Sequence, residues 1–322
     1  MKTLTNLSFW IVLVVVAAIS FLPIGLNAVS LREDLFLILM LVILASSTNI
    51  IMGYTGYVSF GHIVFFGLGG YVAFFLMQTF QWHFALAALI GGATASLIAF
   101  LIGTPVLRLR GAYFALATIG INEAMRAFVS NFEPFGGSIG MFFNYAVYDS
   151  YGGAKNAGQL AYYAMVIVAL LTIAASYLIK KSKFGLGLMA IREDQDAAQV
   201  LGIHPARMKV LTYTISAFFP ALAGAVFFFK NGIIEPGPAF ELSRSIEALV
   251  MVMLGGFGTV TGPIIGALVY ERLRSFLITN PTFSNFHLVI AGALLLIIVL
   301  FVPAGLIGWL RLRFMALRRY LE

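Results

Sequence analysis

Runs of about twenty apolar residues recur along almost the whole chain, and that is the length a helix needs to cross the hydrocarbon of a bilayer. They fall near residues 7–26, 35–52, 59–77, 84–106, 112–130, 160–179, 210–229, 245–254, 262–278 and 286–302. The eighth is too short at face value, and its neighbour is full of glycine. Only 10% of the 322 residues are charged, whereas soluble chains carry roughly a quarter, so too little polar surface exists to keep a packed globule in water. The expected fold class is an all-α polytopic membrane protein. It forms a single domain, 1–322, with about ten transmembrane helices, some of them broken or re-entrant. The apolar run at 9–22 follows a single Lys2 and lacks a small-residue cleavage signature, so it reads as a span that stays.

Charge sets orientation. With the N-terminus in the cytoplasm, the inside segments hold thirteen basic against four acidic residues, and the rest of the chain seven against nine. Net +9 inside and −2 elsewhere is the pattern of the positive-inside rule for an even number of spans, both termini cytoplasmic. The formal charge of +7 is thereby accounted for without nucleic acid. Trp10, Trp82 and Trp309 fall at predicted interfaces. Zero cysteines exclude disulfides, thiolate nucleophiles and thiolate metal sites together.

Irregular backbone is tolerated inside a membrane only where protein or a cavity covers it, so breaks in the apolar runs are informative. The first is GYTGYVSFGH, 53–62, continuing to GLGGY at 67–71. Gly53 and Gly56 permit close approach and positive φ, while Tyr57, Ser59 and His62 supply polar atoms beside a restarting helix. Two readings stand: a tight helix-packing seam with His62 bonded inside the bundle, or direct contact with a solute. The second break is LGGFGTVTGPIIGA, 254–267. There Gly255 and Gly256 loosen one helix, Thr259 and Thr261 are placed to cap the next, and Pro263 fits its first turn. It either lines a path or serves as scaffold.

Glu123 and Arg126 lie at i, i+3 on the fifth span, with Asn122 beside them. Such a pair is expected to face the interior or a cavity, as a structural unit or as part of a gate. On the inside, residues 184–205 read as a compact loop carrying one amphipathic helix from Leu188 through Leu201. Met189, Ile191, Ala197, Ala198, Val200 and Leu201 provide apolar contacts and Arg192, Glu193, Asp194 and Asp196 the charged part, with Gly202 as the stop. Three acids beside one arginine suit a protein groove better than anionic headgroups.

No G-x-x-x-x-G-K-[S/T] motif occurs, and His62, His83, His204 and His287 show no zinc-ligand spacing. A non-catalytic membrane subunit is the reading that remains, and the docking loop favours one driven by a partner over an ion-coupled secondary transporter working alone.

Several stretches resemble the permease subunits of branched-chain amino acid ABC importers, more closely the longer of the two paired permeases. They are NIIMGYTGYVSFGHIVFFGLGGYVAFFL (49–76), RLRGAYFALATIGINEAMR (108–126), GGSIG (136–140), GLGLMAIREDQDAAQVLGI (185–203), KVLTYTISAFFPALAGAVF (209–227) and SIEALVMVMLGGFGTVTGPIIGAL (245–268). The resemblance implies a type II ABC importer-like fold in the cell inner membrane. It also implies a heterodimer with a second related permease, two cytoplasmic ATPase subunits that bind ATP and Mg, and an extracytoplasmic solute-binding protein. This chain itself would carry no cofactor. The segment 190–201 would be the coupling helix, and the break after Gly53 part of the translocation core. Inverted halves would align the span from Leu35 with that from Val210, an alignment under which the breaks at 53–61 and 255–262 do not correspond. Tyr57, Phe135 and Pro220 depart from the family pattern. Related systems move other amino acids, short amides or urea.

Overall fold

The computed structural model describes residues 29–279 except 144 and 145, with scattered positions in 10–20 and 289–308. The expected first and tenth spans fall mostly outside the described residues, and Trp309 wholly so. The described chain runs through α1 (Val29–Thr55), α2 (Ile63–Phe80), α3 (Phe84–Val106), α4 (Ala112–Asn131), a 3-10 turn (Glu133–Phe135) and strand β1 (Met141–Phe142). It continues through α5 (Ala146–Asp149), α6 (Ala154–Lys181), α7 (Lys183–Glu193), α8 (Gln195–Val200) and α9 (Pro205–Asn231). Strand β2 (Ile233–Ile234), α10 (Pro236–Ala239), α11 (Leu242–Gly255) and α12 (Gly262–Thr279) complete it. The architecture is that of an all-α membrane protein. Among the described residues α1, α2, α3, α6 and α9 are long and apolar enough to cross a bilayer.

Burial sorts these helices. The apolar window of α1 is 94% buried and that of α3 only 33%, so α1 is the central post and α3 turns one face to the surroundings. A helix apolar all round belongs in the middle of a bundle. Glycine lets α2, α3 and α9 close on one another: Gly69 of α2 lies against Ala221 of α9, Gly224 of α9 against the Phe66 carbonyl, and Gly91 of α3 against Gly69. Small residues at crossings allow backbone approach where lipid offers no competing hydrophobic drive. Pro220 sits inside α9, which runs continuously across it, and it denies the Ser216 carbonyl its usual N–H partner.

The short eighth span has a structural explanation. Helix α11 has 14 residues, about 21 Å of rise, and the chain reaches its start as irregular backbone packed along α2. Ile234 meets Gly70, while Ala239 and Phe240 meet Gly67, and all three are fully buried. Several polar groups of this segment find partners within the protein. β2 pairs antiparallel with β1, Met141 opposite Ile234 and Phe142 opposite Ile233. Phe143 N–H donates to the Gly232 carbonyl (2.9 Å), and the Phe240 carbonyl accepts from Asn122 Nδ2 (2.9 Å). Residues 230–244, which lie between the expected spans 210–229 and 245–254, form a third break in the structure. The expected helix–turn–helix at 254–267 is present as the end of α11, a turn, and the start of α12, which cross through Gly255, Gly262 and Gly266.

A test of this packing compares two glycines. Gly224→Leu, forced against the Phe66 backbone, should destabilise the bundle by about 1–3 kcal/mol and lower the amount of extractable protein. Gly120→Ala, where no atom lies within 4 Å, should not. Thermal unfolding of both variants in the same detergent checks the contrast.

Candidate functional site

Two glycine breaks and the 184–205 loop, distant in sequence, meet at one junction. Asn49, nearly two turns before the end of α1, donates through Nδ2 to the Thr259 carbonyl (2.8 Å) and accepts at Oδ1 from Gly258 N–H (3.0 Å). Arg192, at the end of α7, donates to the Gly53 carbonyl (2.9 Å) and lays its guanidinium 4.2 Å from the Phe257 ring centre. A side chain on Gly53 would press on the Gly258 backbone, and Gly258 has φ +71°, so both positions need glycine. The turn closes on itself through Thr259, whose hydroxyl donates to the Gly256 carbonyl (2.7 Å) and accepts from Gly262 N–H (3.0 Å). Thr259 thereby supports the start of α12. Thr261 is buried, and its hydroxyl has no partner among the described residues.

A second junction lies beside the first. Tyr57 donates its hydroxyl hydrogen to Gln195 Oε1 (2.9 Å) and accepts from Lys209 Nζ (2.8 Å). Lys209 Nζ also donates to the Leu107 carbonyl (2.8 Å) and to Gln195 Oε1 (3.1 Å), and stands 4.1 Å from the Tyr57 ring centre. This ammonium is buried and held by three neutral oxygens and an aromatic face. Outside it, Arg110 and Asp196 form a two-pronged ion pair (3.1 and 2.8 Å). The hydrogen bond and charge of Arg110 hold the Asp196 carboxyl below the usual carboxylate range. Between the two junctions lies a cavity of about 390 Å³, bordered by Gly56, Tyr57, Arg110, Ala115, Arg192 and Gln195.

The third set of contacts lies where α2 begins. Phe60 N–H donates to Thr118 Oγ1 (3.1 Å), and Ile63 N–H, the first orphan donor of α2, is taken by Ser245 Oγ in the first turn of α11 (3.2 Å). His62 is buried, with Nε2 3.2 Å from Ser216 Oγ in α9 and its ring edge-on to Phe65 and Tyr213. Ser59 is buried as well. The helices that follow the breaks after α1 and after α9 thus meet at their N-termini.

Two expectations need correction. The single helix from Leu188 through Leu201 is two, α7 and α8, because Asp194 leaves the helix and its Oδ1 caps α8 by accepting from Asp196 N–H (2.9 Å) and Ala197 N–H (3.0 Å). Ile191 points inward, Ala190 is half-buried, Glu193, Asp194, Ala197 and Leu201 are exposed, and Gly202 ends α8 with φ +85°. Glu123 and Arg126 do pair (3.3 Å), but about half of each side chain is exposed rather than enclosed by this chain. Helix α4 packs on the bundle through Phe114, Thr118 and Asn122 and leaves the pair on an exposed flank beside that face. Gly255 lies at the α11–α12 crossing, and Gly256 has φ +135°. Sequence reasoning missed Asn49, Lys209, Gln195 and Ser245. Asn49 alone carried a signal, an amide inside an apolar run one turn before a glycine.

The structure therefore defines a polytopic membrane protein whose broken helices are tied to a surface loop. Residues 30–299 match the family described as the permease component of the branched-chain amino acid transport system, and the chain belongs to that family. It is 28% identical over 293 residues to the high-affinity branched-chain amino acid transport system permease protein LivM of Escherichia coli K12, covering 84% of this chain and 68% of that one. To LivH of Salmonella typhimurium it is 26% identical over 290 residues, 83% of this chain and 90% of that one. The autoinducer 2 import system permease protein LsrC of Photorhabdus luminescens is 29% identical over 140 residues, 42% of either chain. No solved structure gives a significant match.

Two measurements test the junctions. Asn49→Leu strands the Gly258 N–H and the Thr259 carbonyl and should cost about 1–3 kcal/mol in unfolding of the purified protein, whereas a Gln78→Leu control, on the exposed side of α2, should cost little. The depressed Asp196 carboxyl makes its contribution above the ordinary aspartate pKa of about 3.9, and that contribution disappears as pH falls through the lower folded value. The difference in unfolding temperature between the native protein and Asp196→Asn should therefore be small, constant across neutral and mildly acidic pH, and vanish only in strong acid.

Proposed function

We propose that this permease is the membrane-spanning subunit of an ATP-driven importer that moves branched-chain amino acids, or a closely related small amino acid or amide, by alternating access. ATP and Mg are bound by two cytoplasmic ATPase subunits. A second related permease completes the pathway, and an extracytoplasmic binding protein delivers the solute. Both termini lie in the cytoplasm of a cell whose inner membrane holds the complex. Relatives named as branched-chain amino acid permeases of both the LivM and LivH kinds support a paired arrangement.

The observation that carries this reading is the Arg192 tie. The loop that ends in the outward-facing Val200 and Leu201 is bonded through Arg192 to Gly53 and stacked on Phe257, so it grips both breaks at once. An exposed apolar tip on a charged loop fits a groove in a partner protein. Movement of that tip by a closing ATPase dimer would pull on the end of α1 and on the α11–α12 turn together. Residues Gly53, Gly56, Tyr57, Ser59, His62, Gly255, Gly256, Thr259 and Thr261 then belong to the moving core. Glu123 and Arg126 lie on a face that the second permease covers.

The deciding experiment is ATP hydrolysis by the co-purified complex with its binding protein, with leucine, isoleucine or valine added. Stimulation by these solutes is expected. Uptake driven by an ion gradient in vesicles holding this chain alone would overturn the reading. Within the complex, Val200→Asp with Leu201→Asp should release the ATPases during purification. Arg192→Ala should keep them bound while lowering solute-stimulated hydrolysis, because the tip is intact and its tie to the breaks is lost.

A further inference from the structure

The cytoplasm-facing ends of α3 and α9 enclose a feature that the transport reading does not use. A cavity of about 510 Å³ is bordered by Arg108, Arg110, His204, Arg207 and Lys209, and no acidic side chain lines it. Arg110 is engaged by Asp196, and the Lys209 ammonium is occupied by neutral oxygens. Arg108 and Arg207 are exposed and make no ion pair with any described residue. The result is a concave site with several positive charges and one carboxylate at its edge.

The surroundings say what kind of anion fits. On α3, the outward residues Leu97, Phe100, Leu101 and Thr104 recur at helical spacing and lead to Arg108. On α9, Arg207 is followed at the same spacing by the outward Leu211 and Ile215. The two helices are neighbours, with Gly103 against Tyr213 and Gly92 against Phe218. Two apolar stripes thus run side by side and each ends in an arginine at the cavity. Leu109, between the arginines, is itself exposed.

We propose that this cavity binds the phosphate of an anionic phospholipid, with an acyl chain lying along the outward stripes of α3 and α9. Arginine suits phosphate because its fork of donors matches the oxygens, and basic pockets at the ends of spans are the usual seats of acidic headgroups. A zwitterionic headgroup would bring its own ammonium into a cavity already lined by cations. A soluble phosphate would satisfy the arginines but leave the apolar stripes unused. The site is independent of which solute crosses the membrane and of which subunits power it.

The test uses the co-purified complex, delipidated in detergent and then supplied with phosphatidylglycerol, phosphatidylcholine or inorganic phosphate. Native mass spectrometry and the unfolding temperature are read. Phosphatidylglycerol should be retained and should raise the unfolding temperature, with phosphatidylcholine and inorganic phosphate doing neither. Arg108→Gln with Arg207→Gln should weaken phosphatidylglycerol retention by about tenfold or more, and the same two positions as lysine should recover part of it. Removing two charges elsewhere, by Lys181→Gln with Lys183→Gln, should change little. Equal retention by the native and Arg108/Arg207 variants overturns the proposal, as does an equal effect of the Lys181/Lys183 control. A shift reproduced by inorganic phosphate alone would assign the cavity to a soluble anion. Loss of the ATPases from the arginine variant with lipid retention unchanged would assign the arginines to an acidic surface of those subunits, and either result refutes the lipid site.

Discussion

Every backbone N–H and C=O that leaves a helix inside an apolar bundle must find a protein partner, because no water is there to take it. The breaks at 56–62, 232–241 and 256–261 exist on that condition. Asn49 serves both a carbonyl and an N–H of the break at 256–261, Asn122 serves a carbonyl of that at 232–241, and Thr118 and Ser245 take N–H groups at and just after that at 56–62. In each case the partner comes from a different helix. The same hydrogen bonds that make the breaks tolerable therefore also decide which helices stand next to which.

The buried cation Lys209 obeys a related rule. A charge taken from water must be compensated, and pairing with a buried carboxylate often returns less than its desolvation costs. Lys209 is instead met by carbonyl, amide and phenol oxygens and by the face of Tyr57, and the exposed Arg192 nearby likewise by the Gly53 carbonyl and the face of Phe257. Such partners spread the positive charge without adding a second ion to be desolvated. The fully ionic contact of this region, Arg110 with Asp196, is left at the exposed edge, where water screens it.

Much of this was legible in the chain. The helices at 35–52, 84–106 and 210–229 follow from apolar length alone, and Thr259 and Pro263 mark the start of α12 as helix-start rules require. The break at 232–241 was written in Gly232, Pro236, Gly237 and Pro238, yet such residues equally mark a solvated turn. What distinguishes the two is whether α2 offers glycines at 67 and 70 to receive the segment, a pairing that a linear pattern does not contain. Lys209 is hidden for the same reason: it reads as one more basic residue on the inside, and only the approach of Tyr57 and Gln195 makes it a buried cation. The split of the loop at Asp194 turns on a choice between continuing a helix and capping a new one. Aspartate is at home in the second role, and periodicity does not decide between them.

Helix α11 shows how the three breaks act as one object. Its first turn is held to α2 by Ser245 and Ile63, and the turn beyond its last residue is held to α1 by Gly258 and Asn49. Its 14 residues are a stiff rod of about 21 Å, and nothing inside the helix itself absorbs a displacement. The adjustable points are the ends, where Gly256 and Gly258 take positive φ and where residues 236–241 lack long regular structure. Arg192 attaches the surface loop at one of those ends only. A pull there has two outcomes: it turns the rod about Ser245, or it breaks the Asn49 clasp. The clasp is two hydrogen bonds, one buried and one partly buried, and breaking it would leave the Thr259 carbonyl and the Asn49 amide unsatisfied. Turning would instead pivot the rod at Ser245, whose Oγ holds the Ile63 N–H at the start of α2.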